Sequence, residues 1–370
     1  MEKMKKYIRE LTELSGNSGY EDEVIKYLYE KLKNIADSIK TDSIGNLTLK
    51  FNSKSGKKGK NPKKIMLFGH MDEVGLVVRK IEASGFLRVE KLGSVNLNTL
   101  PGSVVEVNGK KGKVTGVVGV KSHHYLKPDE KGIIGSYEKL YVDIGASSKE
   151  NAWELGIETG NPVNIKSNFN ELANGLLSNK AMDDRAPLGI LMCLAEEFSK
   201  KKADFELYIV FSVQEEFNIR GIMPAVKEIQ PDLAIGLDIT PSCDTPDLAG
   251  YSDVVMGKGP GITYMNHHGR GTLAGYLPNI KFLNYLESIC KKEKIPFQRE
   301  VALGVLTETA YILFENPKTV TASLSVPTRY THAPIEVVSM DDVMNTYRLI
   351  NAFLSDYDPG QEFGKEELCK

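Results

Sequence analysis

At 370 residues the chain is long enough for two packed units, and 41% hydrophobic with 26% charged side chains is ordinary for a folded, water-exposed protein. Forty-seven basic residues against 49 acidic ones leave a formal charge of −2, so the basic excess expected of a nucleic-acid or anionic-membrane binder is missing. No window approaches 18 uninterrupted apolar residues, which argues against a membrane span.

The N-terminal segment MEKMKKYIRELTELSG is charged throughout and has no apolar core, so a signal peptide is not expected there. Met4, Ile8, Leu11 and Leu14 recur at helical spacing. Ser18 followed by Glu21 reads as a capping box opening a second helix, whose apolar stripe is Val24, Ile25, Leu28 and Leu32. A short strand near Gly45–Phe51 precedes a run from Lys54 to Lys64 with six lysines among Gly, Ser, Asn and Pro, read as a solvated loop. Ile65–Phe68 is continuously apolar, and similar runs recur at Phe205–Val213, Leu233–Leu237 and Val320–Val326. Helical patterns alternate with them at Ala186–Lys201, Asn279–Lys294 and Met340–Tyr357. Apolar strands alternating with helices predict an α/β fold, its mostly parallel sheet sandwiched by helices.

Between Leu76 and Lys166 the texture changes to short valine-rich segments, such as SVVEVNG and GKVTGVVGV, broken by glycine turns. This predicts a small inserted β domain, a barrel, a sandwich or a PDZ-like unit, over 76–166, with residues 1–75 and 167–370 forming the α/β domain. The four cysteines, Cys193, Cys243, Cys290 and Cys369, are widely spaced and contain no CxxC pair, so neither a disulfide framework nor a cysteine zinc site is expected. A reducing, cytoplasmic setting fits this usage.

Open α/β sheets bind ligands beyond the carboxyl ends of their strands. Four polar clusters fall at such ends: His70 and Asp72 in IMLFGHMDEVG, Glu215 and Glu216 in FSVQEEFNIRG, Asp238 in AIGLDIT, and His332 in SLSVPTRYTHAP. A fifth, NKAMDDR, puts Asp183 and Asp184 near a helix N-terminus. Singly, each has an ordinary structural explanation. Together they bring imidazole and carboxylate to one edge, where a buried charge must be paired or coordinated. His70, Asp183, Glu216, Asp238 and His332 exceed the three ligands of a mononuclear catalytic site. Two histidines and three carboxylates suit zinc, with cobalt or manganese as alternatives, and an aspartate can bridge two ions.

The ordered motifs HMDEVG, KAMDDR, VQEE, LDIT and PTRYTHAP resemble metallopeptidase family 42, the TET-type glutamyl, leucyl and deblocking aminopeptidases, some of whose members are labelled endoglucanases. The likeness extends to YVDIGASSKENAWELGIETGNPV and MGKGPGI and spans nearly the whole chain. It implies that His70, Asp183 and Asp238 hold one metal and Asp183, Glu216 and His332 the other. It also implies Glu215 as general base and Asp72 as the carboxylate orienting His70. The residues agree: neighbours on an extended segment point opposite ways, so Glu215 and Glu216 need different roles, and a histidine ligand commonly donates its other N–H to a carboxylate. The resemblance further implies hydrolysis of short peptides at a free N-terminus. It implies a homo-oligomer, a tetrahedral dodecamer or dimers as its building block, assembled through the inserted domain.

The chain departs from the family pattern at Thr307-Glu308-Thr309, where relatives carry TDA, which leaves the preferred side chain open. His124 is read as a surface or structural residue, with reach to a neighbouring site as the alternative. His267 and His268 are read as a polar pair in a glycine-flanked loop, with a role near the substrate as the alternative. Two other reactions compete: deacylation of N-acyl amino acids on the same metals, and an endoglucanase-type reaction using a carboxylate pair. The latter leaves His70, Asp183, Asp238 and His332 unexplained.

Overall fold

The computed structural model describes residues 1–53, 62–128, 136–201, 203–269, 273 and 275–365. Most of the Lys54–Lys64 loop and Cys369 lie outside those residues. Helices α1 (Glu2–Thr12) and α2 (Asp22–Leu32) lead into β1 (Ser38–Thr41), β2 (Leu47–Phe51) and β3 (Lys64–His70). The chain then forms β4 (Gly75–Ile81), β5 (Leu87–Leu92), β6 (Val104–Gly109), β7 (Gly112–Val118) and β8 (Tyr141–Asp143). Helix α3 (Lys149–Glu154) and β9 (Pro162–Ile165) follow. Strands β4–β9 close a barrel in the order β4-β5-β8-β7-β6-β9, with its own core of Leu76, Val89, Val105, Val107, Val142 and Val163.

After the barrel come β10 (Asn170–Glu171), β11 (Leu176–Asn179), α4 (Met182–Phe198), β12 (Glu206–Ser212), α5 (Ile222–Ile229) and β13 (Leu233–Pro241). Next are β14 (Gly261–His267), β15 (Gly275–Tyr276), α6 (Ile280–Glu293), β16 (Gln298–Leu303) and α7 (Ile312–Glu315). Strands β17 (Val320–Arg329) and β18 (Glu336–Ser339) and helix α8 (Met340–Asp356) complete the fold. Strands β12, β3, β13 and β17 are parallel and form the middle of a 12-stranded sheet; β2, β18 and β14 extend it with antiparallel pairs.

The middle strands are apolar without interruption because each side meets a different core. Ile65, Leu67, Leu207, Ile209, Leu233 and Ile235 pack under α1, α2, α4, α6 and α8. Met66, Phe68, Tyr208, Val210 and Ala234 alternate with them and pack under α5 and α7. The same alternation and register place His70 beside Ser212, and Asp238 beside Ser325, at the carboxyl edge. β13 runs past Asp238 to Pro241, so Asp238 lies within the strand rather than at its end.

Two local expectations are corrected. Ser18 does not cap α2, which starts at Asp22; its hydroxyl donates to Asp72 Oδ2 at 2.5 Å, while Glu21 accepts from the Gly19 N–H. Helix α4 begins earlier than the apolar pattern suggests, but Asp183 (φ −75°, ψ 105°) and Asp184 (φ −112°, ψ 24°) are not helical. Pro187 therefore falls in the first regular turn, where a missing N–H leaves no bond unmade.

Candidate metal centre

Five short segments meet at the carboxyl edge: the end of β3, the turn after β12, the outer part of β13, the entry to α4 and the turn after β17. Asp183 sits at their centre. Its Oδ1 lies 3.1 Å from His70 Nε2, and its Oδ2 lies 3.3 Å from His332 Nε2, so each carboxylate oxygen faces a different imidazole. His332 Nε2 is also 3.2 Å from Glu216 Oε1.

The other ring nitrogen of each histidine faces a main-chain carbonyl, Asp72 O at 3.1 Å for His70 and Ser94 O at 3.2 Å for His332. A carbonyl only accepts, so both Nδ1 atoms carry hydrogen in the neutral ring, and both Nε2 lone pairs point at the Asp183 cluster. The Asp72 carboxylate is slightly farther from His70 Nδ1, at 3.5 Å. It accepts instead from the Glu215 and Glu216 backbone N–H groups, at 2.9 and 3.1 Å, and from Ser18. Asp72 thus fixes the turn bearing the two glutamates as well as lying beside His70.

Donor atoms of His70, Asp183, Asp184 and Asp238 lie within 4.8 Å of one another, as do those of Asp183, Glu216 and His332, and of His70, Glu215 and Glu216. The expected ligands are therefore all brought together, with Glu215 beside them. The structure adds Asp184, whose Oδ2 accepts the His70 N–H at 3.0 Å while its buried Oδ1 has no partner among the described residues. It also adds Glu336, which touches the backbone of both Asp183 and His332. Nothing local distinguishes Glu336 in the sequence; Asp184 was visible as a neighbour of Asp183 but had no assigned role.

Burial dominates the electrostatics. It pushes the Glu215, Asp184 and Asp238 carboxyls well above the usual range, and neighbouring carboxylates add to this while His70 opposes it at all three. Burial would depress His70 and His332, yet the carboxylates around them hold both well above the usual imidazole value. Asp183 is lowered, despite burial, by hydrogen bonds to His332 and His70. Burial and the Asp183 carboxylate push Glu336 up to about 8. This is a crowded set of buried carboxyl oxygens, with the Nε2 atoms of two imidazoles facing into it. Such a donor set fits divalent cations of the zinc, cobalt or manganese type.

The cluster opens into a cavity of about 900 Å³ lined by Lys91, Asn96, Tyr137, Asn218, His268, Thr307 and Tyr311, among others. His268 therefore faces the cavity, while His267 and His124 are exposed. Thr307 lines the cavity, and Glu308 is buried, accepting from Ser212 Oγ at 2.8 Å.

The model of the M42 glutamyl aminopeptidase family matches residues 45–349. SgcX of Escherichia coli (strain K12) is 46% identical over 335 residues, covering 90% of this chain and 89% of SgcX. Among solved structures, the aminopeptidase APDkam598 of Desulfurococcus kamchatkensis superimposes with a TM-score of 0.88 at 32% identity, over 96% of this chain and 95% of its own. The TET1 peptidase of Pyrococcus horikoshii, which can assemble into a tetrahedron or a large octahedral shell, gives a TM-score of 0.82 at 28% identity, over 96% and 99%.

Proposed function

The chain belongs to the M42 glutamyl aminopeptidase family, and from that membership we propose a two-metal aminopeptidase that removes the N-terminal residue of short peptides. His70, Asp183 and Asp238 would hold one ion, with Asp184 within reach of the same group. Asp183, Glu216 and His332 would hold the other. The observation that carries this reading is the division of Asp183, one oxygen toward each histidine at 3.1 and 3.3 Å. When bound, the two ions would supply Lewis acidity toward the scissile carbonyl and would lower the pKa of a bound water.

Glu215 takes the proton of the attacking water and returns it to the leaving amine. Its buried carboxyl lies beside the His70 and Glu216 donor atoms. Asp72 keeps Glu215 and Glu216 in separate roles by accepting both of their backbone N–H groups. Family membership, shared with a lysyl aminopeptidase of Pyrococcus furiosus 34% identical to this chain, favours an exopeptidase over a deacylase of N-acyl amino acids. An endoglucanase reaction needs two carboxylates free to act as acid and base, whereas here Asp183 and Glu216 are engaged by imidazoles.

The barrel we assign to assembly, as a domain over 76–166 inserted in the catalytic domain of 1–75 and 167–370. Val104 and Val117, cross-strand partners on β6 and β7, are 43% and 45% exposed, an apolar pair suited to contact with another copy. A homo-oligomer, a tetrahedral dodecamer or a dimer, is the expected state. Among the described residues no helix is long and apolar enough to cross a membrane. The free thiols of Cys193, Cys243 and Cys290 support a cytoplasmic setting.

Metal analysis of the purified protein, beside assays on aminoacyl-p-nitroanilides, N-acyl amino acids and cellulose, tests the proposal. Glu215→Gln should retain both ions and lose about 10²–10⁴-fold in kcat, whereas Asp183→Ala should lose metal as well. A metal-free protein without peptidase activity, or a fully active Glu215→Gln, would refute it.

A further inference from the structure

Glu336 is the first residue of β18, which lies between β11 and β17. Both neighbours run into turns that carry metal-ligand candidates: Asn179, the partner of Glu336, precedes Asp183, and Arg329, the partner of Val337, precedes His332. The Glu336 side chain is 2% exposed and bridges the two turns. Its Oε2 accepts the Asp183 N–H at 3.0 Å, and its Oε1 accepts the His332 N–H at 2.7 Å.

Both turns contain non-glycine residues in the left-handed region: Ala181 (φ 54°), Tyr330 (φ 62°) and His332 itself (φ 61°). L side chains meet steric resistance there, so such turns persist only when the surroundings hold them. Glu336 supplies that hold at the two points where it decides whether His332 Nε2 faces Asp183 and Glu216. The His70 side of the centre is supported differently, by the Asp184 carboxylate on the His70 N–H and by the Asp72 carbonyl on the His70 ring.

We infer that Glu336 is a positioning residue for one of the two ions: by holding the Asp183 and His332 backbones together it sets the affinity of the Asp183–Glu216–His332 group. The inference rests on the two-metal reading. The geometry uses both carboxyl oxygens as acceptors, each from a separate N–H. A glutamine has one acceptor oxygen, and its amide nitrogen would confront the second N–H. Glu336→Gln therefore changes one hydrogen bond with little change of shape.

The test is titration of chelator-stripped protein with Zn²⁺ by calorimetry and with Co²⁺ by absorption. Wild type should bind two ions. Glu336→Gln should bind the second ion about 10–100-fold more weakly. The first, which shares Asp183 but keeps the Asp184 and Asp72 support of His70, should show a smaller loss. The Co²⁺ bands of that second ion should be lost, as in His332→Ala, while those of the first remain. Unchanged affinity for both ions in Glu336→Gln, or equal weakening of both, overturns the inference and leaves the two-metal reading standing. A wild type that binds fewer than two ions overturns the reading and the inference together. Should the variant fail to fold, amide hydrogen exchange of the metal-free wild type decides: slow exchange at Asp183 and His332 supports the clamp, and fast exchange at both overturns it.

Discussion

Replacing Glu308 with glutamine should stabilise the metal-free protein in alkaline buffer and change little at pH 5. Glu308 is 2% exposed; its Oε1 accepts from Ser212, and its Oε2 has no partner among the described residues. Burial, against the opposing influence of His70 and Ser212, pushes this carboxyl from an ordinary 4.5 up to about 7. Between those two values the folded state keeps a proton that the unfolded chain has released, so stability falls as pH rises through the window and the loss is complete above it. A difference of that size corresponds to roughly 3 kcal/mol. Glutamine is neutral throughout and can still accept from Ser212, so it removes the alkaline penalty. With an unfolding entropy of about 2 cal/mol/K per residue, the gain in a chain of this length is roughly 4 °C in Tm. Calorimetric scans of EDTA-treated wild type and Glu308→Gln at pH 5 and pH 8.5 measure it. Equal shifts at both pH values, or none at pH 8.5, would show that Glu308 is not a buried acid held against ionisation.

Lys180→Met should destabilise the fold by roughly 3–5 kcal/mol in urea titrations, because it leaves the Glu73 carboxylate buried without its closest cation. Lys180 Nζ lies 2.6 Å from both Glu73 oxygens, and Arg185 approaches only to 3.8 Å. A loss below about 1 kcal/mol would mean that Arg185 alone suffices. Gly69→Ala should weaken metal binding by about 10–100-fold: a Cβ there would meet Asp184 Oδ2 at 2.6 Å, displacing the carboxylate that accepts the His70 N–H. Equilibrium dialysis with Zn²⁺ reads this directly, and wild-type affinity would remove Asp184 from the account.

Much of the architecture was legible in the chain because local patterns report burial. The uninterrupted apolar runs at β3, β12, β13 and β17 announced strands with a core on each side, and the valine–glycine texture announced a small β domain, which the strand pairing then closes into a barrel. The capping reading at Ser18 failed because Ser18 lies beside Asp72, a buried acceptor far along the sequence, and that contact displaced the local one. The Asp72 role was half legible: its place beside His70 was readable from their spacing, but its grip on the Glu215–Glu216 turn depends on β12 lying next to β3.

By itself the sequence determined which side chains reach the carboxyl edge, since the apolar strands β3, β12 and β17 run out into imidazole or carboxylate. Tertiary structure alone decided the geometry: that Asp183 turns one oxygen toward each of two histidines, and that the Asp184 carboxylate accepts the His70 N–H. It also decided that Glu336, 153 residues from Asp183 in the chain, accepts from the Asp183 and His332 backbone N–H groups at once. Periodicity records which side of an element is covered. It does not record sheet order, and it is the order β11-β18-β17 that brings these turns within reach of one carboxylate.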